Sequence, residues 1–265
     1  MNILKRSMAP LSERIWKLID ETAVNVLATN LSARKSVHIK GPYGMDCVVV
    51  PEGRLELIQD KGLVRTGKHA VKPLVEARAS FELNRWELDN IFRGARDINF
   101  DKLEEAVKAI ALFEENAVYN GYKEAKIEGL QAAAAHSLDY GKKASDILAA
   151  ITEAKYILKS FGYNGPYDLV VGRDAYKRLN SVFEGYPLYR TVRDIINGRI
   201  ILSEAVKGAF LFPTRHKDLE LTVGQDFAIG YENHDSQSIK LFITESFTFR
   251  LLNENAVVRF YVEKE

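Results

Sequence analysis

The chain has 265 residues, 46% of them hydrophobic and 28% charged, enough apolar material for one large domain or two modest ones. Its 37 basic and 36 acidic residues leave a net charge of +1, so no electrostatic footprint for nucleic acid or an anionic membrane is visible. Cys47, the single cysteine, excludes an intramolecular disulfide and suits a reducing cytoplasm, and no apolar run approaches the roughly 18 residues that span a bilayer.

The opening MNILKRSMAPLSER lacks the apolar core of a secretion signal. Residues 12 to 31, SERIWKLIDETAVNVLATNL, predict an amphipathic helix with Ser12 as N-cap and a stripe of Ile15, Leu18, Ile19, Ala23, Val26 and Leu27. GPYG at 41–44 is a turn, and a Gly-punctuated segment of strand character runs from Met45 to about Lys72. VEARASFEL at 75–83 alternates cleanly between apolar Val75, Ala77, Ala79, Phe81 and Leu83 and polar residues, which marks a strand. FDKLEEAVKAIALFEENAVYNG predicts a long helix, opened by a capping box of Asp101 and Glu104 and stopped at Gly121. About 18 residues at about 1.5 Å each make a rod of roughly 27 Å, long enough for a structural spine.

Residues 131–144, rich in Ala, Gly and Lys, read as a boundary. Alternating units follow: a helix at 145–160, the strand YDLVV, helices at 174–180 and 188–197, and short strands near 199–202 and 208–212. The last fifty or so residues are strand-rich, so sheet-forming ends bracket a mixed middle. Within them LFITESFTFRLL, residues 241–252, alternates at period two, yet Glu245 stands in the apolar set of Leu241, Ile243, Phe247, Phe249 and Leu251. An unpaired buried carboxylate costs several kcal/mol, so Glu245 calls for a cation from a packed helix or a neighbouring subunit, or else a β-bulge that turns it outward.

Catalytic motifs are scarce. GLVRTGKH at 62–69 satisfies G-x-x-x-x-G-K but puts His69 where a Ser or Thr would hold magnesium, and Pro73 argues against a helix opening at Lys68, so the phosphate-loop reading is rejected. His38, His69, His136, His216 and His234 are scattered, with no H-E-x-x-H or Glu-x-x-His spacing for a metal, and no G-x-S-x-G elbow is present. Cys47, beside VVV, reads as a small buried hydrophobe. Trp86 in NRWELDN reads as a corner anchor before it reads as a stacking platform. Arg78 shares its parity, but eight extended residues put the two about 26 Å apart within one chain.

The stretches LKRSMAPLSERIWKLID, GPYG, RWELDNIFRG, NGPYDLVV, GYPLYRTV and LTVGQDFAIGYE through LFITESFTF run in order from residue 4 to about 258. Through them the chain resembles the encapsulins, nanocompartment shell proteins with the α+β fold of tailed-bacteriophage major capsid proteins. That resemblance implies a peripheral domain (1–44, 73–130 and 223–265), an extended arm (45–72) and an inserted axial domain (131–222). It also implies a homo-oligomeric icosahedral shell of roughly sixty subunits in the cytoplasm, closed by point symmetry.

By the same resemblance the loop Glu184, Gly185, Tyr186, Pro187 and Leu188 would line a five-fold pore. In some relatives a flavin (FMN) stacks on the tryptophan matching Trp86, with the arginine matching Arg78 near it; no cofactor is otherwise required. Cargo enzymes, a ferritin-like iron oxidase or a dye-decolorising peroxidase, would dock a short C-terminal peptide in an apolar groove between the first helix and the C-terminal sheet. The candidate lining is Ala23, Val26, Leu27, Leu31, Arg34, His38 and Ile39, with Arg34 facing a peptide carboxylate or carbonyl and His38 replacing an acidic residue of a close relative. No catalytic or metal residue is nominated, and no nucleic-acid or membrane partner. The rivals are a phage-type capsid packaging DNA, against which the near-neutral charge argues, and a hydrolase or bacteriocin-type enzyme, for which no constellation speaks.

Overall fold

A computed structural model of the chain describes residues 3–59, 61–183 and 185–263. The first helix, α1 (Glu13–Asn30), starts where the Ser12 hydroxyl accepts the Ile15 N–H at 3.4 Å. It buries Ile15, Trp16, Ile19 and Ala23, while Leu18, Val26 and Leu27 pack half-buried at the edge of the same core. A single turn, α2 (Ala33–Ser36), leads into β1 (His38–Lys40).

The expected arm is a hairpin. Its strands β2 (Val49–Gln59) and β3 (Thr66–Pro73) pair only with each other, and nearly all their residues are exposed. The alternation at 75–83 becomes β4 (Val75–Asn84), with Phe81 and Leu83 buried and Arg78, Ser80 and Glu82 outward. The Asn84 carboxamide then caps α3 (Arg85–Arg93) by accepting the Trp86 and Glu87 N–H groups.

The spine is α4 (Asp101–Asn120), and its start corrects the capping-box expectation. Phe100 is the N-cap residue, Asp101 is already helical, and the Asn99 oxygen accepts the Asp101 N–H at 3.0 Å. A box with Asp101 as the capping acceptor would need that residue one position before the helix. Gly121 ends the helix as expected: a Cβ there would meet the Glu128 carbonyl oxygen at 2.4 Å, which only glycine avoids.

The middle of the chain follows as α5 (Gly129–Ala133), β5 (His136–Asp139), α6 (Ala144–Ser160), β6 (Tyr167–Val171) and α7 (Arg173–Leu179). Then come β7 (Val182–Phe183), β8 (Tyr186–Pro187), α8 (Leu188–Ile196), β9 (Ile200–Leu202) and β10 (Ala209–Pro213). The C-terminal part holds β11 (Leu219–Val223), β12 (Ala228–His234), β13 (Ser238–Leu251) and β14 (Val258–Tyr261).

Two sheets organise these elements. In the peripheral sheet the long β13 pairs antiparallel with β4 over 238–247, with β12 over 239–244 and with β11 over 247–251, and β1 joins β11 in parallel. The axial sheet has the order β5-β14-β10-β6-β9. Every residue of β6 and β10 is buried, as suits central strands covered on both faces.

This pairing corrects the partition at residue 222 in two places. The last strand, β14, was expected with the peripheral sheet, but Val258 and Phe260 are fully buried in the axial core and β14 pairs with β10 and β5. Conversely β11, inside the 131–222 segment, lies in the peripheral sheet against β13.

Two hydrophobic cores result, and α4 runs through both. Leu103, Ala106, Val107 and Ile110 belong to the core made with α1, α3, β4, β12 and β13. About two turns on, Ala117, Val118 and Tyr119 belong to the axial core with α6, α8, β6 and β10.

Candidate functional site

A polar seam separates the two cores. Between Ile110 and Ala117, α4 carries Glu114 and Glu115, both fully buried; β13 likewise places buried Glu245 between Ile243 of one core and Phe247 of the other. Arg34, on the single turn α2, reaches into the seam. Its Nε and Nη2 donate to Glu114 at 2.9 and 2.6 Å, its Nη1 to Asp226 at 2.7 Å and its Nη2 to Glu245 at 3.3 Å. The guanidinium also lies 4.5 Å from the Phe227 ring centre.

Glu245 stays in register opposite Ala77, so no bulge turns it outward, and its cation comes from α2 of the same subunit. Burial pushes the Glu245 carboxyl well above the usual carboxylate range, and the neighbouring Glu114 adds to the shift. Glu115 turns the other way, accepting from the Ser32 hydroxyl, from the Ala33 N–H at 2.8 Å and from the Ser203 hydroxyl at 3.1 Å. Burial raises Glu115 to about 7 despite these donors. Glu114, Glu115 and Asp226 were not singled out in the sequence. The available signal was of the same kind as for Glu245, two carboxylates inside the apolar run AIALFEENAVY.

The residues expected to receive a cargo peptide divide by exposure. Ala23 and Leu31 are core residues, Val26, Leu27 and His38 are half-buried, and Ile39 is exposed on β1. Arg34 is half-buried, and the seam carboxylates of its own subunit already occupy its donors. The groove beside Val26, about 650 Å³, runs between α1 and the start of α4 rather than toward the C-terminal sheet. Its walls include Thr22, Asn25, Asp101 and Glu104, so it is more polar than expected. Nearer the sheet, Leu27 and Phe227 are each half-buried at the rim of the peripheral core.

Trp86 lies in the first turn of α3 and is 70% exposed, so it does not hold the strand-to-helix corner by burial. The strand ends at Asn84, so the parity that put Arg78 and Trp86 on one face does not extend to the tryptophan. Arg78 stays on β4, where its guanidinium sits 4.1 Å from the Phe242 ring centre and 3.3 Å from Glu76. The hollow at Trp86, about 550 Å³, has Arg93 and Lys102 in its walls but also Glu82 and Glu87, with the Arg93 guanidinium 5.8 Å from the indole centre.

Of the expected pore loop, Gly185, with φ +83°, and exposed Tyr186 and Pro187 belong to the tiny β7–β8 hairpin, and Glu184 lies outside the described residues. Leu188 is corrected: it opens α8 and is fully buried in the axial core, so its side chain lines no rim. On the arm, Leu57 is 63%, Ile58 71% and Val64 69% exposed. A lone two-stranded hairpin is marginal in water, and a row of exposed aliphatic side chains on it is a surface built to be covered.

Elsewhere the histidines are separately engaged: His136 with Asn255, His216 with Asp218 and His234 with Tyr231. Among the described residues no group of His, Cys, Asp and Glu is arranged to hold a metal, and no helix is long and apolar enough to cross a membrane. The GLVRTGKH segment forms the hairpin turn and enters β3, so no helix N-terminus opens at Lys68.

Comparison with known proteins places this geometry. Residues 1–248 match the family described as encapsulating protein for peroxidase. The type 1 encapsulin shell protein of Rhodospirillum rubrum is 40% identical over 268 aligned residues, covering 97% of this chain and 96% of the relative. A virus-like particle from Pyrococcus furiosus superposes with a TM-score of 0.71 at 18% identity, over 94% of this chain and 100% of that one. The capsid of the Myoviridae phage XM1 does so at 0.59 and 10% identity, over 88% and 92%. These likenesses establish the tailed-phage capsid fold, and with the identity to the curated relative they show that the chain belongs to the family of encapsulin shell proteins.

Proposed function

We propose that roughly sixty copies of this chain close into an icosahedral cytoplasmic compartment that encloses a cargo enzyme, and that the subunit itself carries no catalysis. The observation that carries the reading is the arm: among the described residues β2 and β3 form a two-stranded sheet of their own and expose Leu55, Leu57 and Ile58, with Val64 exposed in the turn between them. Such a hairpin gains its stability by lying across a neighbouring copy, which buries those side chains. The exposed Gly185–Pro187 segment is assigned to a shell opening that admits small molecules, by analogy of position alone.

The cargo is a ferritin-like iron oxidase or a dye-decolorising peroxidase, held by a short C-terminal peptide. Half-buried Leu27 and Phe227 and exposed Ile39 are assigned to the apolar part of its seat, since Arg34 is engaged by its own carboxylates. A flavin (FMN) fits the Trp86 hollow in one respect: the exposed indole offers a flat face, and Arg93 and Lys102 offer positive charge to a phosphate. Arg78 would join it only from an adjacent subunit.

The test is co-expression of the shell with each cargo enzyme, with and without the cargo's C-terminal peptide. Filled particles that become empty on removing the peptide, and also on Leu27→Asp, support the reading. Equal loading of all combinations would place cargo capture elsewhere, and failure of Leu27→Asp to assemble would make Leu27 a core residue.

A further inference from the structure

The seam between the two cores holds more carboxylate than one guanidinium can neutralise. Glu114, Glu245 and Asp226 all contact Arg34, and Glu115 stands beside Glu114 with only neutral donors around it. No lysine, histidine or second arginine from α4, β13, the β11–β12 turn or residues 31–36 contacts these four carboxylates among the described residues. Glu245 is the most constrained. Its Oε1 is buried with no donor in reach, and its side chain abuts the Glu114 carboxylate, an acceptor. Two carboxylates in such contact away from water cannot both be ionised at low cost, whereas a proton on Glu245 makes it a donor to Glu114.

We infer that Glu245 holds a proton, donated to the Glu114 carboxylate beside Arg34, and that its loss toward alkaline pH loosens the seam where α2, α4 and β13 meet. This makes the junction of the peripheral and axial cores a pH-sensitive latch. Among the described residues Arg34 is the only charged tie from α2 to both α4 and β13, so repulsion between Glu114 and Glu245 acts directly on the seat of residues 31–36. Glu115 strengthens the effect, because it too gains charge in a site without a cation.

The direction follows from linkage. A carboxyl whose folded value lies above its unfolded value binds a proton more tightly when folded. Its effect on stability is nil below the ordinary carboxylate range, grows as pH rises through the window up to the folded value, and is destabilising throughout. For Glu115 that window closes at about 7; for Glu245, raised by burial and by Glu114, it likewise extends well above the ordinary carboxylate range.

Hydrogen exchange of the full chain, read by mass spectrometry on peptides covering residues 31–36, 110–119 and 241–249, tests the latch between about pH 6 and about pH 9. After correction for the chemical exchange rate, protection in these peptides is expected to fall about tenfold or more for the wild type, while peptides of α6 and β6 change little. Glu245→Gln, which mimics the protonated group, should reduce this fall to the part that Glu115 contributes up to about pH 7; Glu114→Gln serves if that variant misfolds. An infrared carbonyl band of protonated Glu245 should appear at neutral pH as the difference between the wild type and Glu245→Gln, above the contribution that Glu115 makes to both. Protection independent of pH in the wild type, an unchanged slope in the Gln variants, or no such band would overturn the inference. None of these readouts depends on shell closure, so the latch and the compartment can fail separately.

Discussion

Truncating Arg34 is the sharpest perturbation of the seam. Arg34→Met keeps the stem but leaves Glu114 and Glu245, both fully buried, and half-exposed Asp226 without their cation. Stranding a buried partner in this way costs about 3–5 kcal/mol, and loss of the contact on Phe227 adds about 0.5–1 kcal/mol. Removing Glu245 instead is mild, because Arg34 keeps Glu114 at 2.6 Å and Asp226 at 2.7 Å. Glu245→Gln is therefore expected to stay within about 1 kcal/mol of the wild type near neutral pH. At about 2–4 °C per kcal/mol for a chain of this size, Arg34→Met should lower the unfolding midpoint by roughly 7–24 °C. Scanning calorimetry at one fixed scan rate measures this, since assemblies of this kind unfold irreversibly. Combining Arg34→Met with Glu114→Gln and Glu245→Gln should recover much of the loss. An Arg34→Met midpoint equal to the wild type, or a Glu245→Gln as damaging as Arg34→Met, would refute the seam as described.

Shortening the arm between Gly53 and Gly67 should block assembly while leaving the far-ultraviolet helix signal intact, because β2 and β3 contribute no helix and only Val50 and Ala70 are buried there. Normal particles after that deletion would remove the arm from the interface. Trp86→Ala should abolish any flavin absorbance carried by purified particles without dissolving them, since the indole is an exposed group. Wild-type particles that stay colourless with excess flavin mononucleotide would dismiss the site.

Much of the architecture was legible because periodicity is a local property. The Ser12 cap, the strict alternation of 75–83 and the stop at Gly121 are each written within one element, and the structure contains them. What sequence reading missed depends on which elements meet. Nothing local tells Val258–Tyr261 to cross back to the axial sheet, or β11 to leave it, because both strands satisfy the same apolar alternation against either sheet. The seam shows the same limit. Glu245 stood out against its own strand, yet its partner Arg34 lies over two hundred residues away in sequence, on a single turn whose side chains looked available for a ligand. Leu188 was grouped with a loop by its neighbours, although its place at the start of an amphipathic helix turns it inward.

The central claim is that this chain closes into a shell, and the direct measurement is the mass and shape of the purified, full-length protein. Light scattering with negative-stain electron microscopy should find uniform hollow particles near 1.8 MDa, about sixty subunits of 30.0 kDa each. A monodisperse monomer or dimer at the same concentration would contradict the account.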